Sequence, residues 1–168
     1  EAPEIAGDQK MSADRGLARE IAKLAKEIWT ECFSGILPPG QTEYMIEKFQ
    51  SEEAIMKQMS EGYIYDTIFF GKRNVGYSAI KAEEDRIFIS KIYLLSSFRG
   101  RGLAYERFQE IEAVARDLGK PNLYLTVNRN NEPAIRFYRN MGFFIDDEVD
   151  KDIGGGFFMN DYIMRKLL

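Results

Sequence analysis

Ser96–Phe108, SSFRGRGLAYERF, joins two segments of opposite character. Before it, Arg86–Leu95 reads RIFISKIYLL, with the apolar middle expected of a strand buried on both faces. After it, Leu103, Phe108, Ile111, Ala115 and Leu118 recur at helical spacing, which predicts a helix from about Gly102 to Leu118. The junction itself is nearly bare: Gly100, Gly102 and Ala104 alternate with bulkier residues, and Arg99 and Arg101 stand among them. A helix N-terminus carries unpaired N–H groups and the positive end of the helix dipole, and glycines let an anion approach that backbone. The same letters also fit a glycine-rich turn with solvated arginines, and this stretch alone does not choose between the two.

The flanking segments supply a context. Downstream, NLYLTV (122–127) reads as a strand, and Pro133–Met141 as a helix with Asn131 as its cap and Pro133 in its first turn. FFIDDEV (143–149) and FFMNDYIMRKLL (157–168) read as two closing strands around Gly154–Gly156. Upstream, Leu17, Ile21, Leu24, Ile28, Trp29 and Cys32 share one helical face, which Pro38, Pro39 and Gly40 terminate. Helices over Thr42–Phe49 and Ser51–Met59, the second capped by Ser51, lead into a hairpin of YIYDTIFF (63–70) and VGYSAIK (75–81). The order predicts an α+β fold with a single mixed, mostly antiparallel sheet flanked by helices, in one domain over residues 1–168. Residues 1–14 read either as partly outside the fold or as a short first strand around Ile5–Met11.

Composition narrows the function. The chain has 168 residues, 45% apolar and 30% charged, a globular profile. A net charge of −4 argues against nucleic acid as a partner. No apolar run approaches the roughly 20 residues that cross a bilayer, and no signal peptide is visible, so no membrane partner is expected. With Cys32 as the single cysteine, a cytoplasmic setting is expected, and that thiol reads as a small hydrophobe on the first helix. There is no histidine, which removes the commonest general base, every Ser-His or Cys-His scheme and most zinc sites, and no metal is expected. A homodimer stays open.

Other phosphate motifs do not fit. A Walker loop needs Gly-Lys-Ser/Thr, and a dinucleotide fingerprint needs a third glycine where Tyr105 stands. The motif RGRGLA, with Arg99, Gly102 and Ala104 at the fixed places of Arg/Gln-x-x-Gly-x-Gly/Ala, resembles the acyl-CoA pyrophosphate loop of the GNAT acyltransferase superfamily. Asn131–Phe143 resembles that superfamily's second cofactor motif, and the likeness of element order extends over about Leu17–Leu168. Within the superfamily the chain is loosely similar to bacterial polyamine N-acetyltransferases, through IFISKIYLLSSFRGRGLA and DYIMRKLL.

The resemblance implies acetyl-CoA as the cofactor and a small-molecule amine as the acceptor. It implies that Leu94 and Leu95, at the end of the strand, lie beside the pantetheine arm. Arg99, Gly100, Arg101, Gly102, Leu103 and Ala104 would hold the pyrophosphate. It also implies that Asn131 hydrogen-bonds the pantetheine arm, Arg139 meets the 3′-phosphate, and Tyr138 protonates the departing thiolate. From ordinary values, a phenol of pKa about 10 gives its proton to a thiolate of about 8.5 only weakly uphill. Without the motif, Tyr138 would read as a core tyrosine beside Ala134 and Met141.

The attacking amine must also lose a proton, since an alkylamine is only ~1 in 10³ neutral at pH 7. Many members of the superfamily place a glutamate on the strand before the loop; here Ser90 occupies that inward position, with Lys91 next to it. Glu31 acting through water, or a water chain with no dedicated base, are the alternatives. Glu83, Glu84 and Asp85 read as a solvated turn. Glu31, Tyr44 and Tyr65 are candidates for the acceptor wall, and the acidic run Asp146–Asp152 for attracting a cationic amine, against the plainer reading of a solvated hairpin. The expectation is an acetyl-CoA-dependent N-acetyltransferase acting on a primary amine, with a polyamine as one option. Protein or peptide acetylation and a non-catalytic acyl-CoA-binding domain are the alternatives.

Overall fold

The computed structural model describes residues 7–168, and side chains from Lys10 onward. Three helices come first: α1 (Gly7–Phe33), α2 (Gln41–Gln50) and α3 (Glu52–Ser60). The strands β1 (Ile64–Phe70), β2 (Arg73–Ala82) and β3 (Arg86–Leu94) follow, and a single turn of 3₁₀ helix over Ser96–Phe98 leads to α4 (Leu103–Asp117). Then come β4 (Asn122–Asn128), α5 (Glu132–Asn140), β5 (Phe144–Gly154) and β6 (Phe157–Leu167). The six strands form one sheet in the order β1-β2-β3-β4-β6-β5, parallel only between β3 and β4. The α+β expectation holds, with β6 rather than β5 inserted beside β4.

The first helix begins well before the predicted apolar stripe. Gly7–Met11 are helical, so the short strand expected around Ile5–Met11 is not formed there; Ile5 and Ala6 lie outside the described residues. Ala18, Ile21, Ala25, Ile28 and Trp29 bury one face of α1 against α2, α3 and β2. Ser51 caps α3 through Ala54 N–H at 3.2 Å, as its position predicts. Among the described residues no helix is long and apolar enough to cross a membrane.

Two apolar cores lie on opposite faces of the sheet. One, under α1–α3, gathers Val75, Tyr77 and Ala79 of β2. The other, under α4 and α5, gathers Ile87, Ile89, Leu123, Leu125 and Phe108. A buried chain of hydrogen bonds ties the first core together. Trp29 Nε1 donates to Tyr77 Oη at 2.9 Å, Tyr77 Oη donates to Gln50 Oε1 at 2.6 Å, and Gln50 Nε2 donates to Tyr65 Oη at 3.1 Å.

Two irregularities in β3 create the site. The strand pairs with β4 only from Arg86–Ile89 against Asn122–Leu125, after which the two part. Ile92–Leu94 stay with β2, while Thr126–Asn128 turn to β6. At the point of parting, the register with β2 jumps from Ile80↔Ile89 to Ala79↔Lys91, a bulge that leaves Ser90 as the extra residue. A bulge lets two consecutive side chains face the same way, and the Lys91 ammonium donates to Ser90 Oγ at 2.6 Å.

Candidate active site

The gap between β3 and β4 opens into a cavity of about 840 Å³. On the side of α4 and α5 its walls are Gly100, Gly102, Leu103 and Ala104, then Asn131, Phe137 and Tyr138. On the side of α1–α3 they include Tyr63, Lys91, Tyr93, Met159, Asp161 and Ile163. The cavity therefore passes through the sheet where the strands part, and both faces share it.

The bare turn is built to receive an anion. Gly100 and Gly102 take φ of 75° and 81°, a left-handed conformation that side chains resist. A Cβ placed on either would meet nothing within 4 Å, so the space above the turn is open. Gly102 caps α4 with no side-chain bond to the first amides, which leaves them available to a ligand. A CoA pyrophosphate fits this donor set. The two arginines differ. Arg99 lines the cavity, its Nη2 donating to Leu94 O at 3.3 Å, whereas the Arg101 guanidinium lies 5.0 Å from the centre of the Phe70 ring, outside the cavity wall.

Asn131 caps α5, its Oδ1 accepting from Ala134 N–H at 3.4 Å, as predicted. Its Nδ2 lies 4.0 Å from Cys32 Sγ, so the amide has donor capacity toward the cavity. The Cys32 thiol is pushed up by burial, consistent with the hydrophobe reading. Tyr138 packs its ring against Phe108, Phe137 and Phe143, and it lines the cavity. Burial, with a smaller contribution from Cys32, holds its phenol well above the ordinary tyrosine value. Proton transfer to a thiolate is therefore steeper than ordinary values imply, because the phenolate would be left in an apolar wall. Leu94 lines the cavity; Leu95 is buried behind it, donating to Val75 O at 2.8 Å. Arg139 is exposed on α5 and is not part of the wall.

The three acceptor-wall candidates lie elsewhere. The Glu31 carboxylate is exposed and accepts from Ser96 N–H at 3.0 Å, which fixes the 3₁₀ turn. Tyr44 donates to Ile153 O at 2.8 Å and stacks near Phe157, pinning the β5–β6 hairpin. Tyr65 belongs to the buried hydrogen-bond chain, and burial raises its phenol to about 12. None of the three lines the cavity. The acidic run is also a solvent face, much of it neutralised: Asp146 pairs with Arg165, and Glu148 and Asp150 pair with Arg129. The residues of that segment that do line the cavity are Val149 and Lys151.

Polar groups that do line the cavity on that side include Tyr63, Lys91 and Asp161. Burial lowers the Lys91 ammonium to about 8 and raises the Asp161 carboxyl to about 6, the latter offset in part by Arg129. Strand alternation could have found Asp161: it is the acid of FFMNDYIMRKLL two places from Met159 and Ile163, hence on their face.

A split mixed sheet with a glycine turn and an uncapped helix at the split defines a site for an anionic, extended ligand passing between strands. The Acetyltransferase (GNAT) family matches residues 18–143, and the chain belongs to that family. An uncharacterized N-acetyltransferase of Mycobacterium tuberculosis is 37% identical over 97 residues, which are 57% of this chain and 62% of that protein, so less than two thirds of the relative is matched. The PaiA N-acetyltransferase of Thermoplasma acidophilum, solved in complex with coenzyme A, superposes with a TM-score of 0.76 at 21% identity, over 92% of this chain and 94% of that one. A GCN5-related N-acetyltransferase structure from Rhodopseudomonas palustris also gives 0.76, at 16% identity, over 90% and 89% of the two chains.

Proposed function

We propose that the protein transfers an acetyl group from acetyl-CoA to a primary amine. The observation that carries this reading is the continuous cavity, with an anion-receiving turn on one face of the sheet and buried polar groups on the other. Acetyl-CoA would be a substrate supplying an activated acyl carbon; Gly100–Ala104 would hold its pyrophosphate and Asn131 its pantetheine arm. Leu94 would lie along that arm, and Arg139 would reach outward to the 3′-phosphate. Tyr138 stays protonated over the working pH range, so it donates a hydrogen bond to the sulfur as charge develops there.

The acceptor reading follows the walls. Met45, Met159 and Ile163 are aliphatic, while Asp161 and Glu61 bring carboxylates to the same cavity. That combination suits a small aliphatic amine with more than one cationic nitrogen, and a polyamine is the proposed class. Lys91 opposes it, so the preference for cations is modest. The test is release of free thiol from acetyl-CoA with spermidine, a monoamine of matched length and a lysine-bearing peptide. Spermidine is expected to give the highest kcat/KM. A higher value for the peptide would replace the polyamine reading with peptide acetylation. CoA binding with no transfer to any of the amines would favour a sensor.

A further inference from the structure

Beyond attracting a cation, Asp161 is placed where it can exchange a proton with one. It is 7% exposed, lines the cavity, and faces Asn128 of β4 on one side and Val149 of β5 on the other. The register sets its direction. Val127↔Tyr162 and Leu125↔Met164 turn toward α4 and α5, so the alternating pairs Asn128↔Asp161 and Thr126↔Ile163 turn to the other face. No hydrogen bond among the described residues reaches its carboxylate, and Arg129, whose charge it feels, is held by Glu148 and Asp150. The carboxylate oxygens are not sealed in the core but keep some exposure, so a cation entering the cavity would meet an unpaired acceptor. A metal is a poor candidate, since no group of three or more potential ligands occurs among the described residues.

We propose that Asp161 receives the acceptor's ammonium group and removes its first proton, in place of a glutamate on β3; this rests on the N-acetyltransferase reading above. Lys91 is a second charged group in the same wall, and among the described residues no ion pair joins it to Asp161. They sit on strands flanking β4, roughly 10 Å or more apart by strand spacing. The other titratable groups in the wall include Cys32 from α1, Glu61 and Tyr63 from the turn before β1, Tyr93 from β3, Tyr138 from α5 and Lys151 from β5, of which Tyr93 feels the Asp161 charge. With its carboxyl near 6, Asp161 is ionised at pH 7 yet more basic than an ordinary aspartate.

The ammonium gives one proton to the Asp161 carboxylate, and the freed nitrogen lone pair forms a C–N bond to the thioester carbonyl carbon. The C–S bond breaks as the carbonyl re-forms. The second proton shed by nitrogen matches the one taken up by the thiolate, and Asp161 returns its proton to solvent. One proton is released per acetyl group transferred.

The experiment compares wild type with Asp161→Asn across pH 5–9, using spermidine and acetyl-CoA. Wild-type kcat/KM should rise through about pH 6 and then level, because the protein supplies the base. The variant should fall by about 10²–10³-fold at pH 7. Its rate should then climb about tenfold per pH unit as neutral amine accumulates. Any step from Lys91 near pH 8 is common to both proteins, so the ratio of the profiles is the readout. A second readout needs no turnover. Asp161→Asn should melt higher than wild type at pH 7.5, and the gain should vanish toward pH 4, where wild-type Asp161 is protonated and no longer buries a charge. If wild type acetylates no amine, the enzyme reading fails. If wild type is active and the variant keeps kcat/KM within twofold at pH 7 with the same acid limb, the Asp161 proposal alone fails. Should Asp161→Asn not fold, Asp161→Ser and the wild-type limb serve instead, and a wild-type profile without a limb near pH 6 contradicts the proposal.

Discussion

Two side chains at the parting of β3 and β4 show how burial sets their chemistry. Tyr138 keeps its proton because its phenolate would lie among Phe108, Phe137 and Phe143. In the proposed reaction it would act as a hydrogen-bond donor more than as a ready acid, with a contribution at the low end of the usual range. Tyr138→Phe is expected to lower kcat by about 10²-fold while CoA affinity and melting temperature barely move; kcat within twofold of wild type would make the tyrosine structural. Lys91 has the opposite sign. Its folded pKa, about 8, lies below the unfolded value near 10.4, so the unfolded chain binds more protons between the two. Stability should rise with pH from about 8 to 10 and carry the full penalty below 8. Lys91→Met should remove that slope and raise stability at pH 7 by about 2–3 kcal/mol, measurable by thermal melts at a series of pH values.

At the scale of elements, the split depends on how closely β2 and β3 approach. A Cβ on Gly76 would lie 2.3 Å from Tyr93 O and 2.7 Å from Leu94 Cδ2, so the backbone lining the cavity would have to move. Gly76→Ala is expected to cost roughly 2 kcal/mol or more, a fall in melting temperature of about 4–8 °C. It should raise KM for acetyl-CoA as well, because Tyr93 and Leu94 line the cavity. Gly16, inside α1, has nothing within 4 Å of its missing Cβ, and Gly16→Ala should stabilise by up to about 1 kcal/mol. Calorimetric melts of the pair would separate close approach from a merely tolerant glycine. Elements of this kind are legible in sequence when periodicity and caps agree, as at Ser51 and Asn131. The bulge at Ser90 is not, because it depends on the partner strand's register. The start of α1 was missed because Gly7–Gly16 shows no apolar stripe, yet it is helical.

At the scale of the whole molecule, the glycine turn, the start of α4 and the Asn131 cap were legible because such residues must lie in a fixed order along the chain. The lining of the cavity beyond the sheet was not: Glu31, Tyr44 and Tyr65 each satisfy a structural hydrogen bond and stand outside the wall. Asp161 and Tyr63 come to the site only through sheet order, with β6 placed between β4 and β5. The central claim is that the cavity through the split sheet is the acetyl-CoA site, held by the main chain at Gly100–Ala104. Titration calorimetry of acetyl-CoA against wild type, Gly102→Ala and Gly102→Glu tests it most directly. Both variants carry the same backbone strain at φ 81°, and only the second places a carboxylate where the pyrophosphate would sit. The account predicts measurable binding to wild type and at least tenfold weaker binding to Gly102→Glu than to Gly102→Ala, at matched melting temperatures. Equal affinities for the two folded variants, or no binding by wild type, would contradict it.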